Sequence, residues 1–185
     1  MNHFLRNSPF LLLGLVLLSS CQSLPNNPPP TVKAVELDRY TGLWHEVARL
    51  PVFFQDEDER ATAEYSLNDN GTIALVNTAI APDGSTRSVT GHAVPVPGSE
   101  NTRLEVTIDN FFAKIFGSSP DFGNYWIFKL ESDYSVALVG SPNRKTLWLL
   151  AREPQIPDEQ LRQYIDYASQ LGFDTDKLIL NNRPL

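Results

Sequence analysis

The chain has a single cysteine, Cys21, so no disulfide can form within it. It has three histidines, His3, His45 and His92, and no pair of them has metal-ligand spacing. No serine falls in a nucleophile motif with a histidine and an acid. These absences remove the usual signatures of a metalloenzyme, a thiol enzyme and a hydrolase, and the chain reads as no enzyme, with no cofactor and no metal. Basic residues are also short: 15 against 22 acidic ones give a net charge of −7. No basic stripe offsets that deficit, which excludes nucleic acid as a partner. Long apolar runs are missing too. The longest, Phe10 to Leu18, is broken by Gly14 and is too short to span a bilayer.

That run does have the form of a secretory signal. Arg6 supplies the positive start, the apolar run follows, and Leu18-Ser19-Ser20 ends it in small residues directly before Cys21. Residues 1–20 are therefore read as a signal peptide. The Leu-Ser-Ser-Cys junction resembles the lipobox of bacterial lipoproteins, in which the cysteine becomes an acylated N-terminus. Gln22 follows it, and similar lipoproteins lacking aspartate at that place go to the outer membrane. The resemblance thus implies an outer-membrane protein, lipid-anchored through Cys21. Residues 21–34 include Pro25, Pro28, Pro29 and Pro30 and read as an extended tether leaving the domain at the end opposite its mouth.

From Gly42 onward short alternating segments are separated by turn residues, which predicts strands and not helices. Gly42-Leu43-Trp44 opens the first, with Trp44, Glu46 and Ala48 expected on one face and Leu43, His45, Val47 and Arg49 on the other. Asn68-Asp69-Asn70-Gly71 is a strong hairpin signal. Further strands are expected near Ala61–Leu67, Ile73–Asn77, Val89–Ala93, Leu104–Ile108, Tyr125–Leu130, Val136–Gly140 and Leu147–Arg152. The facing of the sixth and seventh is left open, because Trp126 and Phe128 are as apolar as their neighbours. The period then changes to that of a helix over about 157–171, bearing Leu161, Tyr164, Ile165, Ala168 and Leu171 on one face. A short strand ends the series. The fold class is all-β: an eight-stranded antiparallel up-and-down barrel with one C-terminal helix and a short ninth strand. It would occupy residues 35–185.

Three segments carry a family resemblance: Gly42-Leu43-Trp44 in the first strand, Asp133-Tyr134 between the sixth and seventh, and Arg152 at the end of the eighth. In order and spacing they resemble the three motifs of the lipocalins. Thr62-Ala63-Glu64-Tyr65-Ser66 and Leu147 to Pro154 are similar to bacterial outer-membrane lipoprotein lipocalins, of the apolipoprotein D-like kind. The resemblance implies that Trp44 lies across the closed end of the barrel with Arg152 stacked on it. Gly42, Trp44, Asp133, Tyr134 and Arg152 would then be structural closing residues. It also implies a carrier of a fatty acid or lysophospholipid.

The residues themselves add a candidate cavity. Inward positions mix small side chains with apolar wall, and the ligand-lining set is Glu46, Ala63, Tyr65, Ile73, Leu75, Val89, Leu104, Val106, Tyr125, Ile127, Trp148 and Leu150. Ala48, Gly91 and Ala93 are expected to leave space beside them. In a meander alternate loops share one end, so Phe53, Phe54, Phe112, Phe116, Arg144 and Lys145 would surround the mouth, with Arg144 or Lys145 meeting a phosphate. The competing reading is a structural or lipoprotein-handling assembly factor, which predicts an open sheet. A homodimer through exposed aromatics such as Trp126 is left open.

Overall fold

Turn chemistry and alternation together produce a closed meander. The computed structural model describes residues 23–109 and 121–181. The signal peptide, Cys21, Phe112 and Phe116 lie outside the described residues. The strands are β1 (Gly42–Arg49), β2 (Arg60–Leu67), β3 (Ile73–Ile80), β4 (Thr86–Pro95), β5 (Arg103–Ile108), β6 (Tyr125–Leu130), β7 (Val136–Gly140), β8 (Leu147–Ala151) and β9 (Ile179–Leu180). Each of β2 to β7 pairs antiparallel with the next, and β1 pairs with both β8 and β2. The ring therefore closes, which is not the open sheet of the competing reading. A four-residue helix α1 (Leu37–Tyr40) precedes β1, and α2 (Asp158–Gln170) follows β8. The final strand has only two residues, added to β1 at Ala48 and Arg49.

The helix packs outside the barrel. Leu161, Tyr164 and Ala168 join Trp126, Phe128, Val136, Leu138, Leu147 and Leu149 in one buried cluster. This decides the facing of β6 and β7: Trp126 and Phe128 point to the helix, Tyr125 and Ile127 to the interior. Trp126 is only 4% exposed, so it offers no surface to a second copy. Sequence alternation could not show this because both faces of these strands are covered by apolar groups.

Alternation also fails in β1, for a different reason. A bulge lies between Glu46 and Ala48, where Glu46 pairs with Leu150 but Ala48 pairs with Leu149. An extra residue in one strand reverses the facing beyond it. Val47 and Ala48 consequently both pack in the helix-side cluster, and Ala48 leaves no space in the interior. Gly91 leaves none either. A Cβ there would sit 2.4 Å from the carbonyl oxygen of Thr107, so the missing side chain serves the close approach of β5.

The floor is built from the three motif segments. The Arg152 guanidinium lies 3.8 Å over the Trp44 ring, and Trp44 is fully buried. The same guanidinium donates to three backbone carbonyls: Leu43 at 2.8 Å, Arg39 at 2.9 Å and Tyr134 at 3.2 Å. Gly42 has φ +91°, and a Cβ on it would sit 3.4 Å from an Arg152 nitrogen. Tyr134, at φ +63°, accepts the Glu36 amide on its hydroxyl at 2.9 Å. Asp133 caps the turn by accepting the Ser135 amide at 3.0 Å.

The segment expected to be a free spacer lies on the wall instead. β5 and β6 pair only at Arg103–Trp126 and Leu104–Tyr125. Asn124 extends the seam on one side, exchanging two side-chain hydrogen bonds with the Val106 backbone at 2.7 and 2.8 Å. On the other side the N-terminal segment takes over. The Val32 amide donates to the Ile127 carbonyl at 3.0 Å, and Thr31 Oγ1 donates to Thr102 Oγ1 at 3.1 Å. Pro29 is buried.

Arg152→Ala removes the stacked cation and leaves carbonyls without their donor. It is expected to lower unfolding free energy by roughly 1–3 kcal/mol, the half-exposed site discounting the larger figure. Arg152→Lys should recover little of it, because a single ammonium cannot reach three carbonyls as the fork does. Urea unfolding of the three proteins checks both statements.

Candidate functional site

Above the Trp44 floor the barrel holds a mostly apolar cavity that is open at the mouth. Small apolar wall residues make it. Ala61, Ala63 and Ala93 stand where larger groups would fill the space, and Ile73, Leu75, Leu104, Val106, Val139, Trp148 and Leu150 supply the rest of the apolar surface. Tyr40, Tyr65 and Tyr125 line the deep part. Tyr40 packs against Trp44 with ring centres 5.1 Å apart and stacks on Tyr65 at 5.8 Å. Their hydroxyls meet one another, Tyr40 with Tyr125 at 2.8 Å and Tyr65 with Tyr125 at 3.5 Å. The deep end can thus present ring faces without a buried polar group left unpaired. Burial pushes all three phenols above their ordinary range, so they stay neutral.

Polarity rises toward the mouth. β1 and β2 pair only from Gly42–Tyr65 to His45–Thr62, and beyond His45 they part. The gap is occupied by a buried polar network. Glu46 Oε1 accepts from Asn181 Nδ2 at 2.7 Å and Gln55 Nε2 at 3.1 Å, and lies 3.3 Å from Arg49 Nε. Arg49 is fully buried and donates through Nη2 to the Asp56 carbonyl at 2.5 Å. Glu59 accepts the Asp56 amide at 2.9 Å and pairs with Arg87. These contacts fasten the β1–β2 loop over one side of the mouth. Burial raises the Glu46 carboxyl to about 7, against the opposing pull of Arg49 and the two amides.

Of the sequence-predicted wall residues, Glu46, Ala63, Tyr65, Ile73, Leu75, Leu104, Val106, Tyr125, Trp148 and Leu150 border the cavity. Two do not. Val89 packs sideways onto the Ile73–Leu75–Leu104 cluster, and Ile127 is fully buried against the Trp44 cluster, below the space it was expected to line. Tyr40, Gln55, Ala61, Thr62, Asn77, Asn124 and Val139 were missed. The signal for Val139 was hidden by the continuous apolar run of β7. Tyr40 precedes the strands altogether and reaches the interior only because α1 folds under the barrel.

At the rim, Phe54 lines the cavity while Phe53 is 76% exposed, the two rings edge-on at 5.5 Å. Lys145 is exposed. Arg144 is not the free cation expected. Its Nε donates to the Leu171 carbonyl at 2.6 Å and its Nη2 to the Asn27 carbonyl at 2.9 Å, so it ties the helix end and the N-terminal segment to the β7–β8 turn.

Residues 35–183 match the lipocalin-like domain family. The chain is 37% identical over 172 residues to the outer membrane lipoprotein Blc of Vibrio cholerae, covering 92% of this chain and 95% of that one. It is 34% identical over 151 residues to temperature-induced lipocalin-1 of Arabidopsis thaliana, covering 80% and 78%. It is 31% identical over 158 residues to mouse apolipoprotein D, covering 81% and 78%. Among solved structures, lobster apocrustacyanin A1 superposes with a TM-score of 0.58 at 20% identity, covering 88% of this chain and 94% of that one. That likeness speaks to the fold alone.

The raised Glu46 carboxyl has a consequence for stability. Between its ordinary value of 4.5 and about 7 the folded state holds a proton that the unfolded state has lost. Stability from this group is therefore full below about 4.5 and falls as pH rises through about 7. Glu46→Gln, which cannot titrate, should flatten that decline; melting curves of both proteins from pH 4.5 to 8 check it.

Proposed function

The chain belongs to the lipocalin family, and from that premise we propose that it carries a fatty acid or lysophospholipid in its barrel. The protein resides at the outer membrane as a lipid-anchored protein, like the relatives named outer membrane lipoprotein. In this reading residues 1–20 are removed, Cys21 is acylated, and residues 21–34 join the anchor to the barrel of residues 35–185. The protein stores, moves or repairs envelope lipid.

One observation carries the reading: the cavity is graded. Ring faces and aliphatic groups line it at depth, while Glu46, Gln55, Asn77 and Asn124 stand among its lining. Such a site suits an amphiphile held tail first, with its polar end at the opening. The cavity opens at its mouth, so a tail can be buried while the polar end of the same molecule stays in water. Affinity then comes from burying methylenes, about 0.8 kcal/mol for each. No bond of the ligand is made or broken, and the side chains around the tail supply shape and dryness.

Extraction of the purified protein should yield a bound lipid, visible as a discrete mass by native mass spectrometry. Ala63→Trp fills part of the cavity from its wall. If it displaces two methylenes it should weaken lysophospholipid binding by about 1.6 kcal/mol, roughly fifteenfold, with the fold retained by circular dichroism. A protein recovered empty, and with no affinity for either lipid class, would refute the carrier reading.

A further inference from the structure

The N-terminal segment enters the barrel at its floor but does not come from there. Val35 is held at the closed end, its amide donating to the Glu100 carbonyl at 3.0 Å and its carbonyl accepting from Asn101 Nδ2 at 3.0 Å. Val32 lies on the wall beside Ile127. Asn27 has reached the opposite end, where Arg144 of the β7–β8 turn holds its carbonyl at 2.9 Å. That turn shares the open rim with the β1–β2 loop, since alternate connections of the meander lie at one end. The segment thus climbs the wall over the weakly paired β5–β6 seam, from floor to rim.

Chain length then limits where an anchor can be. Six peptide steps separate Asn27 from Cys21, a reach of about 19 Å at ~3.1 Å per residue. The ten-residue strand β4, at ~3.4 Å per residue and tilted about 40°, rises some 25 Å between floor and rim. An anchor at Cys21 therefore stays on the rim side unless the segment peels off its hydrogen bonds.

We propose that the protein stands mouth-down on the bilayer that holds its own acyl chains, with Phe53 inserted in the membrane interface. This rests on the reading of Cys21 as the lipid anchor. Phe53 suits the role: it is 76% exposed at the tip of a tight turn closed by the Val52–Gln55 bridge. Its neighbour Phe54 lines the cavity, so the two rings form a continuous apolar step from membrane to interior. Among the described residues the rim is not basic. Asp56, Glu57 and Asp58 are exposed beside Phe53, against Arg87 and Lys145. Contact is therefore driven by the anchor and by apolar insertion, not by attraction to anionic lipid, and a neutral bilayer suffices.

The test uses the native lipoprotein reconstituted in phosphatidylcholine vesicles, with an environment-sensitive fluorophore on Phe53→Cys or on Asn70→Cys at the closed end. Lipids carrying a nitroxide near the headgroup act as quencher. The label at position 53 should shift to the blue and lose most of its emission, while the label at position 70 keeps its own. Equal quenching at both positions, or stronger quenching at 70, would overturn the orientation. The mass of the N-terminal peptide separates the two readings: an unmodified Cys21 would overturn the anchor and this orientation with it. An acylated Cys21 with an unquenched position 53 would overturn the orientation alone.

Discussion

Closure of the floor by Arg152 is the constraint on which the rest depends. A barrel of eight strands with small wall residues would collapse or leak at an unplugged end. Here one guanidinium stacks on the buried Trp44 ring and holds carbonyls from α1, β1 and the β6–β7 turn. These are the connections that would otherwise fray. With the floor fixed, the interior above it needs no filling side chains, and Ala63 and Ala93 can leave a cavity. The cation–π contact itself is worth about 0.5–2 kcal/mol, so its importance lies in what it joins.

The mouth follows different rules. At the floor the polar groups are backbone carbonyls satisfied by one cation. At the rim they are buried side chains gathered on Glu46, which accepts from Gln55 and Asn181 and lies beside Arg49, while Arg49 itself donates to loop carbonyls and keeps Nη1 without a hydrogen bond. A buried network of this kind specifies geometry more than it stabilises. It holds a loop in place beside an entrance, and burial raises its Glu46 carboxyl to about 7. The N-terminal segment belongs to the same economy of edges. It supplies the backbone pairing that β6 lacks where β5 has turned away, and that pairing directs it toward the mouth.

Strand order, barrel closure and the Trp44–Arg152 pairing were legible because each rests on local signals: period-two alternation, Asn-Gly and Asp-Gly turns, and three short motifs. Much of the wall of the cavity was legible for the same reason. The losses came where one more residue or one more layer intervened. The bulge at Glu46–Ala48 reversed a face that strict alternation had assigned, and the α2 helix covered β6 and β7 so that no polar face marked the outside. Arg144 read as a free rim charge because nothing local shows that Leu171 and Asn27, far away in sequence, bring carbonyls to it. The proline-rich segment read as a spacer because its composition forbids helix and core. Composition does not forbid an extended strip pairing with an exposed strand edge.

In the proposed carrier reading an acyl chain lies tail first in the cavity above Trp44. Photo-crosslinking with a fatty acid carrying a diazirine at its methyl end tests it directly. Peptide mapping should place the label on Tyr40, Tyr65 or Tyr125, and excess unlabelled lipid should abolish it. Label found instead on outer-face residues or at the rim, unaffected by that excess, would contradict it.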